Sequence, residues 1–440
     1  MLVAQNIAPN LPDGINSSAT ASDDKKGYSS KREQLIKGTL RLNHDPFAAA
    51  TAELELLVQL EDPPFFSYFV PPPTDPPQEN LLESLREANP VFIFGPAGSG
   101  KTTLRYALEA LCRAVPDRTL VVAYTLGKTI GRQNEETAVW QALTEALATD
   151  LFIQITEQWH TLGNVELGMV EKLGRFWYRA IPHFNRNLRR HLEAYQSHSL
   201  AGIAAWWTTW KRATVRYTPL TLARQQFFQQ LLALAETPPP QDRAYQDIFH
   251  QGLQLAKEIG FTQIYLLIDV VDSRQRQNNQ LTDHLDLLLQ TVNVVSSPIP
   301  LYPKLFLPES WQDHVNKLAT SLDWLTPQTL SVIIRWDKPE ALQAILANRF
   351  RSAGSWIRGF NTIAGQEIAD RLEEMMYQTA DQSPRRLLQL ANLLLDVHAN
   401  REPDDWLITA VDWNTMCQLW NYGSPNPRPM TTNHSPNGRE

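Results

Sequence analysis

Short apolar runs alternate along the chain with longer stretches of helical period, and that alternation predicts an α/β fold. Residues 91–94 (Val-Phe-Ile-Phe), 120–126, 264–268, 304–307 and 330–335 read as strands. Their runs stay apolar instead of alternating with polar residues, which suits strands covered on both faces. Residues 81–87, 101–115, 135–155 and 245–259 read as helices, with Leu104, Leu108, Leu111 and Cys112 along one side of the second. Strand, helix, strand, helix in that order implies a parallel sheet packed between helices.

Strand signals vanish over 156–240, leaving helix-forming segments rich in Trp, Leu, Gln and Arg that end at three successive prolines, 238–240. This predicts a large helical insertion dividing an α/β core into 45–155 and 241–336. Asp337 with Glu340 three residues on marks a helix start, so 339–349 should be helical, followed by helices over 365–379 and 384–398. These form a C-terminal helical lid, 337–400, with a short element over 401–421. A helix is expected over 46–58, and the prolines of 62–77 favour an extended strap. Residues 1–35 and 422–440 hold few large apolar groups and read as disordered tails.

Composition narrows the classes of partner. A net charge of -7 excludes a surface that is basic all over, so any polyanion site must be local. The two cysteines, Cys112 and Cys417, make no CxxC pair, which argues against a zinc site or a disulfide framework. The first residues lack the basic start and apolar run of a secretory signal, and no apolar stretch approaches membrane-spanning length. The chain reads as a cytoplasmic protein.

The chemistry concentrates at Gly95-Pro96-Ala97-Gly98-Ser99-Gly100-Lys101-Thr102, a full match to GxxxxGK[ST] set between a predicted strand and a predicted helix. Glycines in such a P-loop let successive backbone N–H groups face phosphate oxygens, and the following helix adds its positive end. Lys101 would reach the β and γ phosphates and Thr102 would ligate magnesium, with Thr103 helping to cap the helix. The expected ligand is a purine nucleoside triphosphate, ATP with magnesium. The expected fold is an α/β P-loop NTPase: a parallel sheet with a large helical insertion and a C-terminal helical lid. Downstream, Ile264-Tyr-Leu-Leu-Ile268-Asp269 has the form of a Walker B strand, whose Asp269 would hold the metal, mostly through water.

With these motifs the chain resembles the additional-strand P-loop ATPases, the group that holds AAA+, STAND and KAP-type proteins. In that group a second acid often follows the Walker B carboxylate and orients the attacking water. Val270 stands there instead, while Asp272 matches the fourth position of a DDxD-like form, so the resemblance implies slow hydrolysis resting on Asp272. It also implies a sensor 1 strand at 304–308, with Glu309 and Ser310 as its polar residues. Ser383-Pro384-Arg385-Arg386-Leu387 is similar to a sensor 2 motif in which Arg385 touches the γ-phosphate. Between Lys304 and Ile334 there is no arginine to act as a finger, and Lys317 lacks the planar fork, which favours the STAND and KAP side.

From Lys172 to Arg216 nine basic residues (Lys172, Arg175, Arg179, Arg186, Arg189, Arg190, Lys211, Arg212, Arg216) meet one acid, Glu193. Phe176, Trp177, Tyr178, Phe184, Trp206, Trp207 and Trp210 interleave with them. An amphipathic helical subdomain with solvated arginines explains this pattern; so does a surface for nucleic acid or an anionic membrane. Two functions are therefore expected to compete: a nucleotide-dependent regulatory switch acting on a protein partner, and a nucleic-acid-associated ATPase of initiator or transposition-helper type.

Overall fold

The computed structural model describes residues 31–49, 68–114, 118–126, 135–157, 167–197, 221–234, 244–270, 278–295, 297–319, 322, 329–354 and 356–423. Six strands form one sheet: β1 (Thr74–Asp75), β2 (Val91–Gly95), β3 (Thr119–Leu126), β4 (Gln263–Val270), β5 (Leu301–Pro308) and β6 (Leu330–Ile334). Their order across the sheet is β1-β6-β2-β5-β4-β3. Five strands run parallel, but β1 pairs antiparallel with β6, Thr74 opposite Ile334. The sheet is thus mixed, not wholly parallel as expected. The proline-rich strap supplies the edge strand, a sheet position that tolerates proline's missing N–H.

Side-chain alternation explains why the strand runs stay apolar. Phe92 and Phe94 of β2, with Ile264, Leu266 and Ile268 of β4, enter one hydrophobic cluster. Val91 and Ile93, with Tyr265 and Leu267, enter the other. Each face of the sheet therefore needs its own cover.

The first face is covered by α3 (Glu135–Glu157), α7 (Tyr245–Ile259) and α8 (Asn278–Asn293), α1 (Leu81–Arg86) and α2 (Lys101–Ala114) lying elsewhere. The predicted insertion joins the same cluster through α4 (Leu167–Ala180), α5 (Phe184–Gln196) and α6 (Leu222–Leu234). Phe152 of α3 meets Trp177 at 5.1 Å, Phe184 at 5.3 Å and Phe228 at 6.3 Å between ring centroids. Gly252 lets α7 approach α4, since a methyl group there would lie 2.6 Å from the Phe176 ring. Helix α8 and the short α9 (Gln312–Ala319) were not foreseen from the sequence.

The second face carries α1, α2 and a C-terminal bundle: α10 (Pro339–Ser352), α11 (Leu372–Ala380), α12 (Pro384–Arg401) and α13 (Ala410–Gly423). Helix α10 begins at Pro339 as expected and runs three residues past Arg349, with Lys338 rather than Asp337 as its N-cap. Turns fill 366–371, so α11 is shorter than the helix expected over 365–379. Within the element expected at 401–421, a helix, α13, begins at Ala410 and packs against α12.

The reading of 1–35 as a disordered tail fails at its end. A π-helical turn, Gln34–Thr39, buries Leu35 and Ile36, and Arg32 pairs with Asp45 at 2.9 Å and with Asp396 of α12 at 3.0 Å. Two apolar residues among many polar ones gave no periodic signal. Residues 1–30 and 424–440, and most of the helix expected at 46–58, lie outside the described residues.

Candidate functional site

β2 ends at Gly95 with all five residues buried, and α2 starts at Lys101. The backbone between them turns through Gly98 (φ 77°) and Gly100 (φ 94°), a left-handed conformation that other side chains rarely adopt. A methyl group at Gly100 would meet nothing within 4 Å. Helix α2 carries no acid in its first turn, so nothing opposes the positive end of its dipole. Lys101 is buried, and its Nζ donates to Gly95 O at 2.8 Å and Pro96 O at 2.9 Å, which draws the ammonium against the loop. Thr102 and Thr103 are half-buried on the first turn of α2, Pro96 and Ala97 are exposed, and Ser99 is buried.

Two structures brace this loop that the sequence did not tie to it. The Trp336 indole N–H donates to Ser99 O at 2.8 Å from just beyond β6. Arg335 pairs with Glu309 at 2.6 Å, joining the ends of the two strands that flank β2. Glu309, proposed as a sensor residue, is thus an ion-pair partner at the root of the loop. A single Trp and a single Arg after a strand carry no spacing signal.

The predicted Ser383–Leu387 segment does come to the loop. Ser383 caps α12, accepting from Arg386 N at 3.4 Å, and Pro384 follows in the first turn. Arg385 N donates to Gly98 O at 3.4 Å. A methyl group at Gly98 would lie 2.8 Å from Ser383 Oγ and 3.2 Å from Arg385 Cβ. The Arg385 side chain is exposed beside the loop, whereas Arg386 turns to Asp381 at 3.4 Å.

Asp269 stands near the end of β4, separated from β2 by β5, and only 2% of it is exposed. Its Oδ2 accepts from Arg105 Nε at 3.2 Å. Arg105 Nη1 donates to Glu109 at 2.8 Å, Arg113 donates to both Glu109 at 2.8 Å and Asp150 of α3 at 2.6 Å, and Asp150 Oδ2 accepts from Ala123 N of β3. Burial lowers the Arg105 pKa, but Tyr106, Glu109 and Asp269 outweigh it and hold the guanidinium above its ordinary value. This row of buried charges was missed. Its signal was Arg105, Glu109 and Arg113 at four-residue spacing beside the apolar stripe of α2. Val270 is buried next to Asp269. Asp272, expected to orient water, lies outside the described residues.

On α4 and α5 the aromatic residues turn inward and the basic ones outward. Phe176, Trp177 and Phe184 are buried; Lys172, Arg175, Arg186, Arg189 and Arg190 are exposed. Lys172 pairs with Glu258 and Arg175 with Glu171. His183, Arg186, Arg189 and Arg190 line an open groove of about 510 Å³ with Asn185 and Glu193. Trp206, Trp207, Trp210, Lys211, Arg212 and Arg216 are outside the described residues. No described helix is long and apolar enough to cross a membrane, and no described group of three or more His, Cys, Asp or Glu residues is placed to hold a metal ion. No known protein family, curated protein or solved structure matches the chain.

Proposed function

We propose that residues 95–103 bind the phosphates of a purine nucleoside triphosphate, ATP with magnesium, and that the chain is a regulatory P-loop ATPase whose C-terminal helices respond to the bound nucleotide. The observation that carries this reading is the loop itself: two left-handed glycines, a buried lysine and an unopposed helix N-terminus meet at one turn. Sheet order supports it. β5 stands as an additional strand between the loop strand β2 and the carboxylate strand β4, as the resemblance to additional-strand ATPases implies.

The donor set suits magnesium, which prefers oxygen ligands: the Thr102 hydroxyl on the first turn of α2 and the Asp269 carboxylate near the end of β4 would hold it. The ion would supply charge neutralisation between phosphate oxygens. The remaining work falls to the chain. Lys101 can exchange its two carbonyl acceptors for phosphate oxygens without leaving the loop. Arg385, whose backbone is bonded to Gly98, would sense the outer phosphate. The apolar Val270 beside Asp269 provides no second carboxylate, which favours slow turnover and a switch over a fast motor. The test is calorimetric titration with ATP and magnesium: Lys101→Ala should weaken binding by about two orders of magnitude, as expected for losing a desolvated charge-assisted contact. Unchanged affinity would refute the assignment.

The groove on α5 favours a second reading, a nucleic-acid-associated ATPase. Because Phe176, Trp177 and Phe184 are buried and the half-buried Tyr178 donates its hydroxyl to Leu231 O, contact would run through phosphates and not through base stacking, so it would be sequence-independent and salt-sensitive. Charge reversal at Arg186, Arg189 and Arg190 should then abolish DNA or RNA binding and leave ATP affinity intact. Binding to anionic vesicles alone, or to neither, would remove this reading.

A further inference from the structure

Arg105 lies one turn beyond Lys101 on α2, with 5% of its side chain exposed, and bridges two carboxylates that belong to different parts of the fold. Its Nε holds Asp269 of β4 at 3.2 Å, while Nη1 holds Glu109, one turn further along α2, at 2.8 Å. The Tyr106 ring stacks on the guanidinium at 3.9 Å. Asp269 therefore already has a cation, and a metal ion approaching that carboxylate must compete with it.

We infer that Arg105 is a positioning residue that gates the access of a divalent cation to Asp269, releasing the carboxylate by settling onto Glu109. This rests on the nucleotide reading above. The exchange is feasible because Arg105 never has to become an unpaired buried charge, an arrangement that proteins avoid. Glu109 is already its partner, and Glu109 is in turn fixed by Arg113 and, through it, by Asp150. Among the described residues, the row from Asp269 to Asp150 holds three acids against two guanidinium groups, a formal excess of one negative charge. A cation arriving at its Asp269 end reduces that excess. Moving Arg105 also pulls on a row that ends on α3 and β3, which links the metal to the face where the inserted helices pack.

The consequence is that magnesium strengthens ATP binding only weakly in the native chain and strongly once the gate is removed. The full-length protein would be titrated calorimetrically with ATP, in EDTA and in saturating magnesium, for the native chain, Arg105→Gln, Arg105→Lys and Arg105→Gln/Asp269→Asn, with circular dichroism checking the fold. The gain in affinity on adding magnesium should be below about threefold for the native chain and rise to about tenfold or more in Arg105→Gln. Arg105→Lys keeps a buried charge but cannot fork between two carboxylates, so its gain should be intermediate even if Arg105→Gln does not fold. Adding Asp269→Asn should erase the increase. An equal magnesium gain in native and Arg105-substituted chains would overturn the gate while leaving nucleotide binding standing. Absence of ATP binding in every chain would instead overturn the nucleotide reading on which the gate depends.

Discussion

Lys304 lies in the buried part of β5 at the end of the sheet opposite the loop, in register with Val91. Its Nζ donates to Glu87 O at 2.7 Å and Asn89 O at 2.6 Å, closing the turn that leads into β2. Burial pushes its pKa down from 10.5 to about 7, against the opposing pull of Cys112 and Glu87. The folded protein therefore binds this proton less tightly than the unfolded chain. Its destabilising effect is complete below pH about 7 and is relieved as pH rises toward 10.5, so stability should increase across that window. Lys304→Met should flatten that rise in a series of chemical denaturations. It should also cost about 1–3 kcal/mol, because buried carbonyls lose their donor. A rise of the same size in the variant would show that another group titrates. From the sequence, Lys304 was only the first residue of a short strand. Neither its burial nor its partners could be inferred, because both depend on the turn at 87–89.

At the scale of elements, what could be foreseen followed from local physics. β2, β3, β4, β5 and β6 were legible because strands covered on both faces read as mostly apolar runs. The strand–loop–helix unit at 91–114 was legible because its glycines, its lysine and the apolar stripe of α2 obey separate rules that agree. β1 was not, since two residues in a proline-rich strap are strand only because β6 offers an open edge. Helix α8 escaped because NNQLTDHLDLLLQTVN is polar in its first half and declares its buried side only against α3 and β3. At the site, Gly95–Gly100 join the end of β2 to α2, which opens at Lys101, and Arg385 lies against the loop. Trp336, the Arg335–Glu309 pair and Arg105 did not announce themselves, because each owes its position to the meeting of distant segments.

On the scale of the whole molecule, the sheet divides the protein into two packed halves that meet at the loop. One half contains the inserted helices with α3, α7 and α8; the other contains the C-terminal bundle. The loop touches the second half directly through Gly98, Ser383 and Arg385. It reaches the first through Arg105 and the charge row ending at Asp150. A ligand seated there would meet the second half directly and be linked to the first through that row, as the proposed nucleotide-dependent switch requires. Hydrogen–deuterium exchange with and without ATP and magnesium tests this most directly. The account predicts protection of 95–105 together with the start of α12, 383–390, because a nucleotide that orders the loop must order the helix bonded to Gly98. Unchanged exchange at 95–105 under saturating ATP would contradict it.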